Sequence, residues 1–308
     1  MGPIRQVMMV MTNTRLPVCD YEGSDYQTGF WEQGGRSYED QVEAVALGRL
    51  LPPSGNLLLE VGAGAGRNTP RYRGFKRIVL LDYSRTQLKQ AQNRLGNNQR
   101  YIYVLADAYR LPFVPGLFDA ATLIRTLHHM VDAPKVLQQV RQVLRPGGIF
   151  IIEYANKQNL KAILRYLLRL QAWSPFSLSP VEFATLNFDF HPQAIRQWLT
   201  ACDFVLERQL TVSHFRSGLL KRFIPLPWLI KMDSWAQLTG DRWQLSPSVF
   251  ARCRAVGDSG TTPLGAFFRC PACSHIPLQQ AAELVICSNC GRSWKIKDGI
   301  YDFRDDGD

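Results

Sequence analysis

Three glycines within five residues mark the stretch LEVGAGAGRN, residues 59–68, as a candidate ligand-binding turn. Gly62, Gly64 and Gly66 follow an apolar run, as in a turn that joins a buried strand to a helix and exposes backbone N–H groups. A phosphate loop of the GxxxxGK type is excluded because the stretch has no lysine. A dinucleotide loop of the GxGxxG type would need a third glycine where the chain has Arg67. The turn alone therefore leaves the cofactor class open.

Carboxylates in three predicted strands, two of them at the strand end, narrow the choice of cofactor class. Glu60 lies inside the strand that leads into the glycines, and Asp82 ends the next strand in VLLDYS. At a strand end, Asp82 can accept hydrogen bonds from two ribose hydroxyls, which both cofactor classes require. Asp107 ends the third strand in VLADAYRLPF, where its carboxylate can accept a hydrogen bond from an exocyclic adenine amine.

Candidate catalytic groups follow the fourth predicted strand, in LIRTLHHM. His128 and His129 are titratable there, and an imidazole pKa of about 6.5 suits proton removal at neutral pH. Arg125 lies at the same strand end. The alternative is that the histidine pair only begins a helix and has a structural role.

Four of the seven cysteines form two CxxC pairs near the end of the sequence: Cys270, Cys273, Cys287 and Cys290. Two such pairs bring four thiolates into a tetrahedron suited to zinc, although the gap between them is slightly shorter than in most zinc ribbons. Four thiolates leave no position for water, so the predicted zinc is structural. An odd cysteine count with this spacing indicates metal binding in a reducing compartment.

The elements that must position these residues alternate from about residue 55. Short apolar runs separated by helical segments predict βαβ units and a parallel sheet: NLLLEVG, RIVLLDY, YIYVLAD, FDAATLIRT and GIFIIEY. After Tyr154 the rhythm breaks, and FVLERQLTV and SVFARCRAV predict an antiparallel strand pair at the sheet edge. The segment NLKAILRYLLRLQ predicts a helix from about Asn159 to Gln171.

The length of 308 residues predicts a large and a small unit. The large domain is expected over residues 1–256 and the small zinc-binding unit over residues 270–308, with residues 257–269 as a linker. The predicted subdivisions of the large domain are a leader, residues 1–54, and two insertions at about residues 157–203 and 214–247.

Over residues 57–154 the chain resembles the class I S-adenosylmethionine-dependent methyltransferases, because four motifs occur in the expected order. The resemblance implies an α/β fold with a seven-stranded, doubly wound, Rossmann-like sheet whose last strand is antiparallel. It implies that the three glycines approach the methionine moiety and ribose, that Asp82 holds the ribose, and that Asp107 with Ala108 reads the adenine. Glu60, Tyr83 and Arg125 complete the predicted cofactor site. In similar methyltransferases a leader folds over the cofactor, which would bring four residues near it: Tyr26, Phe30, Trp31 and Arg36.

The segment from Cys270 to Phe303 is similar to small zinc-ribbon proteins that activate methyltransferases acting on tRNA, ribosomal RNA and release factors. This likeness favours an RNA or a component of translation as the acceptor. A hydrophobic small molecule is the alternative, since the core and its LHH segment also resemble quinone C-methyltransferases. A non-catalytic module that senses the cofactor or binds RNA is the third hypothesis.

The formal charge of +10 is concentrated in residues 157–231, which hold ten Lys and Arg against four Asp and Glu. Basic residues interleaved with aromatics in FRSGLLKRFIPLPWLIK suit contact with unpaired RNA bases or a peripheral membrane contact. Lys161, Arg165 and Arg169 could equally form a solvated basic face on a helix whose apolar face is buried. No apolar run is long enough to span a bilayer, so a cytoplasmic location is predicted.

Overall fold

A computed structural model describes residues 16–24, 29, 31, 34–260 and 263–304 of the protein. The helices in this part of the chain are α1 (Ser37–Leu50), α2 (Arg85–Leu95), α3 (Ala133–Val143), α4 (Leu160–Leu167), α5 (Pro192–Ala201), α6 (Gly218–Phe223) and α7 (Leu226–Ala236). The strands are β1 (Gly55–Val61), β2 (Phe75–Asp82), β3 (Tyr101–Leu105), β4 (Phe118–Leu123), β5 (Leu144–Ala155), β6 (Val181–Ala184), β7 (Asn187–Asp189), β8 (Phe204–Val212), β9 (Ser248–Ala255), β10 (Gln279–Gln280), β11 (Leu284–Ile286), β12 (Ser293–Lys297) and β13 (Ile300–Asp302). Short 3-10 turns lie at Thr69–Arg71, Leu127–His129 and Gln237–Thr239.

The described strands, apart from the β6–β7 hairpin, form one mixed sheet of eleven strands in the order β10-β11-β12-β13-β3-β2-β1-β4-β5-β9-β8. Strands β1 to β5 run parallel, as the βαβ rhythm predicted. Strand β9 runs antiparallel to both of its neighbours, β5 and β8, which confirms the predicted antiparallel pair at the edge. The fold is therefore α/β and Rossmann-like.

Helices cover both faces of the parallel strands, which explains why these strands are apolar almost throughout. On one face α1 and α2 pack through Leu47 and Leu88 in one buried cluster. On the other face α3 and α5 pack through Val140 and Leu199 in a second cluster. The chain runs from β1 outward to β2 and β3, then returns to β4 on the other side of β1. This reversal opens a crevice at the carboxyl ends of β1 and β4.

The C-terminal four-cysteine segment, residues 270–304, continues the sheet. Strand β13 pairs in parallel with β3, and the Phe303 N–H donates to the Leu105 carbonyl at 2.7 Å. Aromatic rings hold the segment against the core: the Phe268 ring lies 5.9 Å from that of Phe113 and 4.8 Å from that of Phe303, and Trp294 packs 5.5 Å from Phe303. The segment is thus packed on the large domain.

Helix α4 departs from the prediction in two ways. It ends at Leu167, four residues earlier than the pattern predicted, because Arg169 takes a left-handed φ of 57° that a continuing helix does not permit. Its apolar face is exposed: Leu160 and Leu164 are each half accessible to solvent, and only Ala162 is buried. No helix in the described part of the chain combines the length and apolar character needed to cross a membrane.

Candidate functional site

A cavity lies at the carboxyl ends of β1, β2, β3 and β4 and gathers most of the predicted site residues. Those in its lining are Glu60, Gly62, Gly64, Asp82, Tyr83, Asp107, Ala108, Arg125 and His129. Gly66 and His128 are not part of this lining. Trp31 of the leader lines the cavity too, whereas Tyr26 and Phe30 lie outside the described residues.

The three glycines differ in what they do, although all have positive φ, between 54° and 73°. A Cβ on Gly62 would lie 2.2 Å from the Thr126 hydroxyl oxygen, so this glycine permits close packing of β1 against β4. A Cβ on Gly66 would lie 2.9 Å from a methyl of Leu95. The absence of a Cβ therefore lets the turn pack closely on α2, and Gly66 does not line the cavity. Only Gly64 is open, with no atom nearer than 3.8 Å to its Cβ position.

Asp82 and Asp107 are fixed by backbone N–H groups. Asp82 accepts from Gly64 N at 2.8 Å on one oxygen and from Ser84 N at 2.9 Å on the other. Burial raises the pKa of Asp82, and these N–H groups oppose that rise by stabilising the charged form. Asp107 is 6% exposed and accepts from Tyr109 N at 2.8 Å. Each carboxylate is held rigidly and retains lone pairs for a ligand.

Glu60 is buried below the glycine turn. Its carboxyl accepts from the Thr69 hydroxyl at 2.6 Å and from the Tyr72 hydroxyl at 3.2 Å. Burial raises the pKa of Glu60 to about 7 despite these donors. Glu60 thus ties the turn at residues 69–72 to β1 while it lines the cavity.

An ionic network that the sequence did not reveal joins α1 to two arginines of the cavity lining. The buried carboxylate of Glu43 on α1 accepts from Arg67 at 2.8 Å and from Arg125 Nε at 2.7 Å. Burial disfavours the Glu43 carboxylate, yet the two guanidinium groups outweigh it and lower the pKa. The Arg67 guanidinium also lies 3.5 Å from the centre of the Trp31 ring. Arg67, which stands where a GxGxxG motif has its third glycine, therefore anchors the leader.

Arg125 has an unusual backbone as well as this ion pair. Its φ is 58°, rare for a residue with a Cβ, and its N–H donates to the Glu153 carboxylate at 3.0 Å. This conformation turns the chain sharply after β4, directly before the two histidines. With its guanidinium bound to Glu43, Arg125 shapes the cavity wall and sets the direction in which the chain enters the histidine turn.

His129 is the histidine that reaches the cavity, and its two nitrogens have defined partners. Nδ1 lies 3.0 Å from the carbonyl oxygen of Leu186, an acceptor, so Nδ1 carries the proton. Nε2 lies 3.0 Å from the hydroxyl of Tyr21, which donates to it. Burial lowers the pKa of His129 and keeps the ring neutral at pH 7. His128 is more strongly affected: burial, His129 and Arg125 lower its pKa well below the ordinary value.

Tyr21 and Glu43 were absent from the predicted site. Tyr21 lines the cavity but lies more than a hundred residues from His129 in sequence, so no local pattern connects the two. Glu43 did have a sequence signal. It lies between Val42 and Ala46 on the buried face of α1, and a carboxylate on such a face requires a cationic partner.

The four cysteines of the C-terminal segment converge. Their sulfurs all lie within 4.8 Å of one another, with Cys270–Cys290 at 3.7 Å and Cys273–Cys287 at 3.6 Å. Both distances are far longer than a disulfide bond of about 2.05 Å. They match the separation of about 3.8 Å between thiolates around a tetrahedral zinc with bonds of about 2.3 Å. The donor set and its geometry therefore fit a four-thiolate metal site.

Comparison with known proteins agrees with this architecture. Residues 59–152 match the family model described as a methyltransferase domain. An O-methyltransferase of Penicillium expansum, cnsE, is 32% identical over 46% of this chain and 55% of its own length. A demethylmenaquinone methyltransferase of Clavibacter sepedonicus is 29% identical over 52% of this chain and 66% of its own. The chain thus spans between half and two thirds of the length of these curated relatives.

Among solved structures, one chain from the complex between the Haloferax volcanii Trm112 methyltransferase activator and a methyltransferase superposes with a TM-score of 0.54. It is 14% identical, and the match covers 75% of this chain and 96% of that one. At this identity the likeness concerns the fold alone. The chain carries a methyltransferase domain with the class I S-adenosylmethionine-dependent fold.

Proposed function

We propose that this methyltransferase domain transfers the methyl group of S-adenosylmethionine to a hydrophobic small molecule. The names of the relatives support this acceptor class, since one is named for a demethylmenaquinone. The sequence favoured an RNA or a component of translation, and no comparison supports that acceptor. We therefore propose the small-molecule acceptor, which was the alternative hypothesis from the sequence.

Two carboxylates held by backbone N–H groups beside an open glycine are the features that favour S-adenosylmethionine in the cavity. Asp82 would accept from the two ribose hydroxyls, because each of its oxygens is already oriented by one N–H donor. Asp107 with Ala108 would contact the adenine, and the open side of Gly64 would lie against the ligand. Tyr83 follows Asp82 in the same lining.

The pair of His129 and Tyr21 is the observation that carries the proposed chemistry. Methyl transfer from a sulfonium needs an oriented nucleophile, and a base when the acceptor is a hydroxyl. An acceptor hydroxyl could pass its proton to Tyr21 as Tyr21 passes its own to Nε2 of His129. The imidazolium that forms would keep its Nδ1–H bond to the Leu186 carbonyl. His129 is neutral beforehand and can therefore take that proton.

We also propose that Cys270, Cys273, Cys287 and Cys290 hold one zinc ion. Bound zinc would crosslink the two CxxC turns and stabilise a segment too small to fold on a hydrophobic core alone. The site requires reduced thiols, which accords with the cytoplasmic location predicted from the sequence.

An assay with purified full-length protein, methyl-labelled S-adenosylmethionine and detergent-dispersed, reduced demethylmenaquinone tests the acceptor class. We expect labelled product that partitions into organic solvent, and a rate at least about 10-fold lower for Tyr21→Phe. Bulk tRNA and ribosomal RNA serve as competing acceptors in parallel reactions. Label in RNA and none in the organic phase would reject the small-molecule acceptor.

A further inference from the structure

The two insertions expose an unusual number of large apolar side chains. Outside them, the exposed large hydrophobic residues of the described chain are Val131, Val205, Val256 and Leu264. Inside them are seventeen, which we call the insertion surface: Leu160, Leu164, Leu167, Leu168, Leu170, Phe176, Leu178, Phe183, Leu219, Leu220, Phe223, Trp228, Met232, Trp235, Leu238, Trp243 and Leu245. Apolar exposure on this scale marks an interaction site.

The exposure is high even for the largest side chains. Phe223 is 73% exposed, Trp235 is 70% exposed and Leu167 is 65% exposed. Leucines and tryptophans at such values cost free energy in water that a monomeric soluble protein ordinarily avoids. The insertion surface therefore requires a partner.

Positive charge predominates around these side chains, although Glu182 and Asp241 are exposed acids within the insertions. Residues 158–181 and 214–231 contain no Asp or Glu, while Lys161, Arg165 and Lys231 are all exposed. The Lys231 amine lies 5.6 Å from the ring centre of Trp228 and 6.0 Å from that of Trp235. Tryptophan beside lysine and leucine beside arginine is the composition of a surface that lies at the interface of an anionic bilayer.

The first insertion contacts the cavity lining directly, and the second contacts α1, which supports that lining. The β6–β7 turn supplies the Leu186 carbonyl that accepts from His129. In the second insertion, Lys221 of α6 pairs with Glu39 at 2.7 Å, one helical turn before Glu43, which binds Arg125. Both insertions are therefore attached to the elements that form the acceptor end of the cavity.

We infer that the insertion surface docks on an anionic lipid bilayer and that the hydrophobic acceptor passes from the bilayer into the cavity. The second half of this statement rests on the proposed small-molecule acceptor. The first half rests on exposure and charge alone. An RNA would leave most of the exposed leucines in water. A second copy of the chain would not require the positive charge.

Flotation of the full-length protein with vesicles tests the inference. The vesicles are phosphatidylcholine alone or phosphatidylcholine mixed with phosphatidylglycerol. We expect the partition coefficient to be roughly 10-fold or more higher for the anionic vesicles, since each basic residue near the surface adds about 5-fold. Leu167→Ser with Phe223→Ser should lower binding to anionic vesicles about 10-fold or more.

Leu264→Ser is the matched control, because Leu264 is fully exposed outside the insertion surface, and this variant should bind as the wild type does. Circular dichroism and cofactor binding should be the same for all variants, because the altered side chains are exposed. No binding to anionic vesicles, or equal binding by the double variant, would overturn the inference. So would a dimer in gel filtration, or an RNA complex in gel shift, that depends on the same two residues.

Vesicle binding needs no turnover, so the two proposals fail separately. Methylation of detergent-dispersed demethylmenaquinone without vesicle binding would refute docking and leave the proposed acceptor intact. Vesicle binding without methylation of any organic-soluble acceptor would refute the acceptor and leave docking intact.

Discussion

The two ends of the cavity are built in different ways. At the cofactor end, Asp82 ends β2 and Asp107 lies two residues after β3, and neighbouring backbone N–H groups hold both. At the acceptor end, His129 meets Tyr21 from the leader and Leu186 from an insertion, and Arg125 is held by Glu43 from α1. The cofactor end thus follows from the sheet itself, while the acceptor end is assembled from segments attached to it.

This difference gives the two ends separate energetic consequences. A side-chain change at the cofactor end should alter binding of S-adenosylmethionine without altering the acceptor reaction. A change at the acceptor end should lower the rate and leave cofactor affinity unchanged. Substitutions that break this separation would show that the two ends act as one unit.

The largest effect is expected for His129→Gln, which removes the proposed base. We expect kcat to fall by a factor on the order of 100 to 1000, while the Kd for S-adenosylmethionine is unchanged. His128→Gln is the matched comparison, because His128 adjoins His129 but does not line the cavity. It should keep the rate within a few-fold of wild type. Equal losses in both variants, measured by steady-state kinetics, would remove the role assigned to His129.

Asp82→Ala should have the next largest effect, at the cofactor end. Loss of charge-assisted hydrogen bonds to the ribose should weaken cofactor binding by about 1.5–3 kcal/mol, or roughly 10- to 150-fold in Kd. Asp119→Ala serves as control, since the Asp119 carboxylate accepts from the N–H groups of Asn56 and Leu57 near the amino end of β1, away from the cavity. Calorimetric titration should show a change only for Asp82, and unaltered affinity in that variant would refute the assigned site.

Cys287→Ser should have a smaller effect on the cavity, transmitted from the four-cysteine segment. Arg304 donates to the Tyr83 carbonyl at 3.2 Å, and Asp302 pairs with Arg85 at 2.7 Å, next to Asp82. Loss of one thiolate should release zinc, unfold the segment and raise the cofactor Kd by about 3-fold. The control is Cys202→Ser, a buried cysteine far from the cluster in sequence. A wild-type protein without zinc by elemental analysis would contradict the metal proposal.

Glu60→Gln should change the pH dependence of stability. Burial raises the Glu60 pKa to about 7, so the stability gained from its protonated form is complete below about pH 4.5 and is lost as pH rises through 7. The glutamine variant lacks this loss. Its advantage in free energy of unfolding should grow from near zero at pH 5 to about 1–3 kcal/mol at pH 8. Thermal melts across this pH range that show no such trend would contradict the burial of the Glu60 carboxyl that raises its pKa.

Much of the cofactor end could be predicted from the sequence because strand, turn and carboxylate are neighbours in the chain. The period of apolar residues predicted β1 to β5, and the strand ends then located Asp82 and Asp107. Gly66 has a packing role that this reasoning did not reveal. The resemblance implied a cofactor contact for Gly66, and the structure shows that a Cβ there would meet Leu95.

The acceptor end could not be predicted because its contacts are distant in sequence. Nothing near His129 indicates Tyr21 or Leu186, and nothing near Arg125 indicates Glu43. Helix α4 adds a second reason. Its apolar stripe would ordinarily be read as core-facing, but the tertiary fold leaves Leu160 and Leu164 in solvent. The local sequence pattern predicts the apolar stripe, but it does not predict whether another part of the chain covers that stripe.

The fate of the methyl group decides between the proposed acceptor and its alternatives. Full-length protein would be incubated with methyl-labelled S-adenosylmethionine and a total cell extract, and label would be counted in the organic-solvent, RNA and protein fractions. We predict label in the organic fraction, dependent on His129 and Asp82. Label confined to RNA or protein, or no transfer to any fraction, would refute the proposed small-molecule acceptor.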